Sequence, residues 1–408
     1  MPAPPNPATA APVEPPADFL AARLRDPYPY FGWLRRHAPV HAERRPGRPA
    51  VWQVSRYEDV RALLTDPRLS KDPKRVPGYV PGPTGLNRHL VHADPPDHTR
   101  LRALVNSAFV PRRIAMLEPF IAEVAHRLLD RVEHRTHIDL IADFAAPLTF
   151  RMICAILGVP DHLDTAATRD TLMATISPDA PAHPARAQQG LHELLDVLIA
   201  GKRSGRSPGG TDLLGALVRA GDESGTITEE ELLSTAYLLL LVGHDTTMNL
   251  IGNGMLALLH HPEQAERLAA RGTGPTLLTT AVEELLRYDS PVRDATFRCA
   301  AEPIELHGRT IAAGEIVSLL IGSANRDEAR FPDPDRLDLG RTPNDHLAFG
   351  YGPHFCIGAG LARLEGAVAF PLLLERLGPV ETAKPADELP WRPARVMRGL
   401  AALPLVRR

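Results

Sequence analysis

Two short stretches of this chain bring together residue types that do chemistry. Phe349-Gly350-Tyr351-Gly352-Pro353-His354-Phe355-Cys356-Ile357-Gly358 delivers a cysteine to the start of a helical run, Leu361-Ala362-Arg363-Leu364-Glu365. Glycines at 350, 352 and 358 let the backbone pass close to a flat object and leave amides free to point at the sulfur, where a helix N-terminus also favours an anion. Both effects predict a lowered thiol pKa, and the thiolate is the form that attacks electrophiles and binds metals. Taken alone, a lone cysteine in a glycine-rich turn is better explained as a buried apolar side chain. The second stretch, Gly243-His244-Asp245-Thr246-Thr247, sets an acid and two hydroxyls into an apolar run. Buried polar groups are costly unless paired or functional. A threonine bonded back to the carbonyl four residues earlier, and an aspartate meeting an arginine, would satisfy them structurally. An acid beside an alcohol can equally relay protons to a reacting atom.

The elements that must position these residues are mostly helices. Thr228 with Glu231 forms a capping-box pattern and nothing breaks the helical reading before Pro262, which predicts one helix of about 32 residues and roughly 48 Å. Its segment Ala236 to Val242 is apolar all round, which implies burial on every side. Ala115 to Val132 and Ala187 to Ala200 have helical periodicity. Strand signals are fewer: Trp52 to Val54, and a hairpin of Pro303 to Ile311 followed by Glu315 to Ile321, with turns at His307-Gly308 and Ala313-Gly314. The fold class is therefore mainly α with a small β region. Pro371 predicts a kink or interruption near Phe370. Segments 77–85, 177–186 and 204–210 are expected as surface loops. Residues 1–17, rich in Pro and Ala, are expected as a flexible tail rather than a secretory signal, ahead of a single domain over 18–408.

The pattern FGxGxHxCxG followed by LAR resembles the haem-binding signature of the cytochrome P450 family, and the family's other motifs follow in order from about Asp18 onward. The resemblance implies a triangular prism with haem b (iron protoporphyrin IX) between the long central helix and the Cys-bearing loop-helix. Cys356 would be the thiolate ligand of the iron, a ligation that favours O–O cleavage, and Phe349, which opens the motif, would lie among the cofactor-binding residues. Asp245 and Thr246 match the family's acid-threonine pair, which directs protons to the outer oxygen of bound dioxygen, with Gly243 loosening the helix to admit oxygen and water. Asp94-Pro95-Pro96-Asp97-His98-Thr99-Arg100-Leu101-Arg102 matches a motif that supplies His98 and Arg102; with Arg298 and His354 these would hold the haem propionates. Glu284 and Arg287, joined by Arg336 from the segment 331–336, correspond to a structural network behind the haem. Val242, Leu337 and Gly360 stand where alanine, phenylalanine and proline are commoner.

Composition narrows the function further. The chain has 408 residues and a formal net charge of −3, which argues against a nucleic-acid partner. No stretch approaches the roughly 18 apolar residues of a spanning helix, so no membrane role and a cytoplasmic location are expected. Cys154, Cys299 and Cys356 are too few and too far apart for a disulfide framework, and the first two are expected as buried apolar side chains. Only four of the 46 Lys and Arg residues are lysine. No flavin or iron–sulfur module fits in this length, so by resemblance a ferredoxin and its NAD(P)H-dependent reductase bring electrons to a monomer, near Cys356. The resemblance is nearest to bacterial members that tailor polyketides and macrolides, which implies a bulky, mostly apolar secondary metabolite that is hydroxylated or epoxidised. Substrate-lining segments would be 77–90, 164–186, 239–243, 291–296 and 393–397. The alternatives are a peroxide-dependent or rearranging haem-thiolate enzyme, and a haem-binding sensor or carrier.

Overall fold

The computed structural model describes residues 14–44, 50–80, 86–176, 184–205, 212–270 and 274–407. Most of the expected tail, and much of the three expected loops, lies outside them. The central helix spans Glu229–His260. Thr228 accepts a hydrogen bond from the Glu231 amide at 3.2 Å and the Glu231 carboxylate accepts one from the Thr228 amide at 2.9 Å, so the capping box is formed. Glu231 also receives the guanidinium of Arg100 at 2.6 Å, which ties the start of this helix to the helix Asp97–Asn106.

Around the central helix pack Ala146–Leu157, Pro275–Tyr288 and Ala359–Leu377, whose buried apolar faces share one core. The predicted helix Ala115 to Val132 is divided into Pro111–Ala115 and Glu118–Asp130. Pro119 explains the break, because proline is tolerated in the first turn of a helix but not in its interior. The expected interruption at Pro371 is not there: Ala359–Leu377 continues through it. Phe370, Leu373 and Leu377 are buried on the flanking turns, and that packing outweighs one missing amide hydrogen bond.

The strand at Trp52 to Val54 lies within Val51–Val54, in a five-stranded sheet ordered Val40–Glu43, Val51–Val54, Ile316–Leu319, Cys299–Ala300, Leu69–Ser70. Ile304–Leu306 and Arg309–Ile311 form a hairpin turning at His307 and Gly308, both with positive φ, as a tight two-residue turn requires. Ile316–Leu319 does not extend that hairpin. Its side chains from Val317 onward are buried, and it pairs instead with Val51–Val54 on one edge and Cys299 on the other, as an interior strand must. Cys154 and Cys299 are buried and free, as expected.

Behind the site, Glu284 and Arg287 have no exposed surface. Arg287 donates to Glu284 through Nε at 2.7 Å and Nη2 at 2.9 Å, and its Nη1 donates to the carbonyls of Asn325 and Pro334, both at 2.8 Å. The third member expected here was Arg336, but its side chain is exposed; Arg341 takes the place, with Nε 3.1 Å and 3.2 Å from the two Glu284 oxygens. The chain from Pro332 to Arg336 turns its carbonyls inward to the two guanidinium groups, and this directs the Arg336 side chain outward.

Glu365, on the helix after Cys356, is fully buried, and neither of its carboxyl oxygens has a hydrogen-bond partner. Burial raises its pKa well above 4.5. The unfolded chain therefore loses this proton at a pH where the folded protein keeps it, so the group makes the fold less stable as pH rises. Glu365→Gln removes the penalty. The melting temperature of the variant holoenzyme should gain on the parent between about pH 5 and about pH 8, whereas parallel curves would contradict a protonated Glu365.

Candidate active site

The cysteine loop is held by its own backbone and by neighbours on both sides. The Cys356 amide donates to the Phe349 carbonyl at 2.9 Å, and the Gly358 amide is directed at the sulfur. Gly352 takes φ of +77°, and a Cβ there would fall 2.4 Å from Thr65 Cγ2, so no other residue fits. On the helix side, Arg363 donates to Glu283 at 2.6 Å and 2.9 Å and lies over the Phe349 ring, while His346 meets the same carboxylate at 3.0 Å. Burial pushes the Glu283 carboxyl up, but His346 and Arg363 hold it at about 2, so it is an anion that clamps the loop to the helix Pro275–Tyr288.

Cys356 lies deep in the fold and yet keeps accessible surface. The predicted lowering of its thiol pKa is not found in the protein alone. Burial raises it, and the Gly358 amide, Arg102 and Arg363 offset only part of that rise. Desolvation of a charge outweighs a few favourable dipoles here. Coordination to a metal ion deprotonates a thiol outright.

Next to this loop is a cluster of basic side chains. His98 and His354 stack with ring centres 4.0 Å apart, and His98 Nε2 and His354 Nδ1 have no partner. Burial, followed by Lys71, His98, Arg298 and Arg102, drives the His354 pKa down to about 2. Arg298 is almost fully buried and its pKa is lowered by burial to about 10. Arg102 reaches the Phe355 carbonyl at 2.7 Å. Thus the structure brings together His98, Arg102, Arg298 and His354, and adds Lys71, which sequence reasoning missed. Lys71 is 1% exposed, with Nζ 2.6 Å from Thr296 Oγ1 and 3.2 Å from its carbonyl. Its signal was scarcity, as a lysine kept in a chain that otherwise uses arginine. The nearby acid, Asp94, is engaged by Ser70 and the Lys71 amide. Guanidinium groups beside neutral imidazoles whose unpartnered nitrogens can donate suit an anionic ligand, and the two carboxylates of a haem fit that need.

On the central helix, Val242, Gly243 and Thr246 keep accessible surface, whereas His244, Asp245 and Thr247 are buried. Thr246 donates to the Val242 carbonyl at 2.7 Å. Asp245 is fully buried and paired with Arg392, and Asn249 supports both partners. Both structural explanations considered for these polar residues are therefore realised, while Thr246 as a residue keeps some accessible surface. His244 meets Thr149 at 2.9 Å, and burial lowers its pKa to about 3, so it is a neutral link to the helix Ala146–Leu157. Gly243 does not loosen the helix, which runs unbroken through it. A Cβ there would fall 2.7 Å from Ile153, so the glycine lets two helices approach closely. Arg392, 147 residues beyond Asp245, had no local signal in the sequence.

The family profile described as "Cytochrome P450" matches residues 175–271 and 275–391. The cytochrome P450 monooxygenase PikC of Streptomyces venezuelae is 44% identical over 95% of this chain and 92% of its own length. The mycinamicin IV hydroxylase/epoxidase of Micromonospora griseorubida is 39% identical over 92% of this chain and 94% of its own. Among solved structures, the tirandamycin C-bound P450 monooxygenase TamI superposes with a TM-score of 0.87 at 40% identity, covering 95% of this chain and 98% of that one. Among the described residues, no helix is long and apolar enough to cross a membrane.

Proposed function

Because this chain belongs to the cytochrome P450 family and is a monooxygenase that uses haem b, we propose that Cys356 is its thiolate ligand and that Thr246 with Asp245 governs proton delivery. The observation that carries this reading is the joint placement of Cys356, deep in the fold with surface still accessible, a cluster of basic side chains beside it, and Thr246, which keeps accessible surface on the central helix. When bound, haem b supplies dioxygen activation and the transfer of one oxygen atom to substrate. His98, Arg102, Arg298 and His354, with Lys71, hold its two carboxylates. Phe349 closes the loop through its carbonyl and packs beside Arg363. Thr246 Oγ1 keeps its own hydrogen on the Val242 carbonyl, which leaves its lone pairs to accept and orient a proton-bearing water. Asp245, paired with Arg392 in this structure, is the acid that would pass protons to that water once out of that pair.

The substrate we propose is a bulky, mostly apolar secondary metabolite such as a polyketide or macrolide, either hydroxylated or epoxidised. The names of the relatives support this class. Electrons come from a ferredoxin and its NAD(P)H-dependent reductase in the cytoplasm, and residues 18–408 act as one catalytic domain. The outer face of the cysteine loop suits such a partner. Tyr351 and Phe355 are 40% and 39% exposed there, and they line an open cleft of about 490 Å³ with Arg61 and Arg330. Glu58 and Asp345 line the same cleft, the latter paired with Arg330, so what this face offers a partner is its two exposed aromatic rings and Arg61.

The test is turnover with a surrogate ferredoxin system on macrolides and polyketides first selected by their haem spectral shift. The parent enzyme should place one atom of labelled dioxygen in the product. Thr246→Ala should still consume NADPH but release peroxide, with product per NADPH down at least about tenfold. Full coupling in that variant would refute the proton role of Thr246.

A further inference from the structure

Two histidines that the site described so far does not use stand on a single turn of 3-10 helix, Leu90–His92, with His89 as the residue before it. The His92 amide donates to the His89 carbonyl at 2.9 Å, which closes the turn. Side chains three residues apart eclipse in such a turn, and the two rings stack, with centres 4.6 Å apart and 35° between their planes. The turn is fixed from several sides. Leu90 and Val91 belong to the same apolar cluster as Leu239 and Val242 of the central helix and Ile357, the residue after Cys356. The Arg88 amide donates to Ser234 Oγ at 3.2 Å, and His92 meets the Phe297 ring edge-on with centres 6.1 Å apart. The pair therefore stands where three stretches expected to line the substrate cleft, 77–90, 239–243 and 291–296, meet at their ends.

His89 is 5% exposed, and Nδ1 of both rings is buried without a hydrogen-bond partner. Burial, followed by the neighbouring His92, lowers the His89 pKa to about 3; burial, followed by Lys71, lowers that of His92 to about 4. Both rings are therefore neutral. A neutral imidazole has one N–H to give and one lone pair to accept with, and its partner decides which nitrogen keeps the proton. Left unpaired in the interior, such groups cost the fold stability, and a ligand that bonds them removes that cost. The surroundings decide its sign. Lys71 borders the pair, and Arg298 follows Phe297 in the chain. The acids that act on His92 and Lys71 are engaged elsewhere, Asp72 by the Lys74 amide at 3.0 Å and Asp94 by Ser70 and the Lys71 amide. Among the described residues, no group of three side chains that could hold a metal ion forms. An acceptor oxygen fits these surroundings, and a cation does not.

We propose that His89 and His92 are specificity-determining residues, whose imidazole N–H groups donate to an acceptor oxygen, best a carboxylate, at the polar end of an otherwise apolar substrate. This deepens the substrate reading above and rests on it. In that reading the haem carboxylates are served by His98, Arg102, Arg298 and His354 with Lys71, which leaves the stacked pair for the substrate. A protonated amine in the same place would meet two N–H donors and a guanidinium and be repelled.

The experiment reads dissociation constants from the haem spectral shift of the ferric holoenzyme at neutral pH. Three probes share one chain length: dodecanoic acid, methyl dodecanoate and dodecyltrimethylammonium, whose quaternary nitrogen cannot ligate iron. The parent should bind the acid at least about tenfold tighter than the ester, and the cation most weakly. His92→Phe keeps the ring stacked on His89 and Phe297 but gives no hydrogen bond, so the preference for the acid should fall to about threefold or less. His89→Phe should lose part of the preference, and His92→Gln, which restores a donor, should regain part of it. Haem per polypeptide and melting temperature should stay parental in all three variants. Equal affinities for acid and ester in the parent, no shift with any probe where macrolides give one, or a parental preference in His92→Phe would overturn the inference. Loss of haem from folded His92→Phe would place the pair on the cofactor and overturn it too. If His92→Phe does not fold, the same comparison in His89→Phe and His92→Gln decides. No shift with the probes or with any macrolide or polyketide would remove the substrate reading as well.

Discussion

Cys356→Ser should give a folded protein whose reduced carbon monoxide complex lacks the red-shifted absorbance of a thiolate-ligated haem, with product formation lower by at least about a thousandfold, or about 4 kcal/mol of barrier. The fold should survive because the contact that shapes the loop is made by the backbone, from the amide of residue 356 to the Phe349 carbonyl. Clamping by Glu283 and the turn at Gly352 do not involve the sulfur either. What serine cannot supply is the electron donation of a thiolate, which favours cleavage of the O–O bond. The check is a difference spectrum alongside a melting curve. A retained red shift in a folded variant would disprove the ligand assignment.

The second large effect is expected at a residue that touches no substrate. Arg287→Ala removes four of the hydrogen bonds made by a fully buried guanidinium, and leaves the buried Glu284 carboxylate with Arg341, Asn344 and the Asp338 amide. Breaking a buried pair from one side costs about 3–5 kcal/mol, a large share of the roughly 5–15 kcal/mol that holds a typical protein folded. The carbonyls of Asn325 and Pro334 would also lose their donor. The first of these leads to the cysteine loop, since Asn325 Oδ1 accepts the Leu347 amide at 2.7 Å. The variant should therefore fail to retain haem, as read by haem per polypeptide and by melting temperature. Arg287→Lys should not rescue it, because one ammonium cannot replace a planar fork serving a carboxylate and two carbonyls. A variant with full haem content and slow turnover would contradict this account.

Much of the fold was legible because it is local. The capping box at Thr228 and Glu231 marks the start of the central helix, and the tight turn at His307-Gly308 marks a hairpin, each from neighbouring residues alone. Structure departs from local preference where distant packing overrides it. Pro371 sits inside an unbroken helix because the turns on either side are buried, and Ile316–Leu319 left the hairpin because an interior strand has two edges to satisfy. From the sequence Gly243 suggests a loosened helix, because its contact, Ile153, lies on another helix. The thiol of Cys356 was expected to be acidic from its amides, and burial, which a sequence does not display, reverses the direction.

By itself, then, the sequence determined the chemical inventory: a cysteine entering a helix through a glycine-rich loop, an acid-alcohol pair on a long buried helix, and the basic residues His98, Arg102, Arg298 and His354. Tertiary structure alone decided which partner each charged group takes. Arg341 rather than Arg336 completes the Glu284 network, Lys71 joins the cation cluster, and Arg392 holds Asp245. The physical reason is that an arginine or lysine reaches whichever buried carboxylate or carbonyl the folded backbone turns toward it. Such a choice depends on burial and direction across the whole chain, and no spacing of neighbouring residues encodes it.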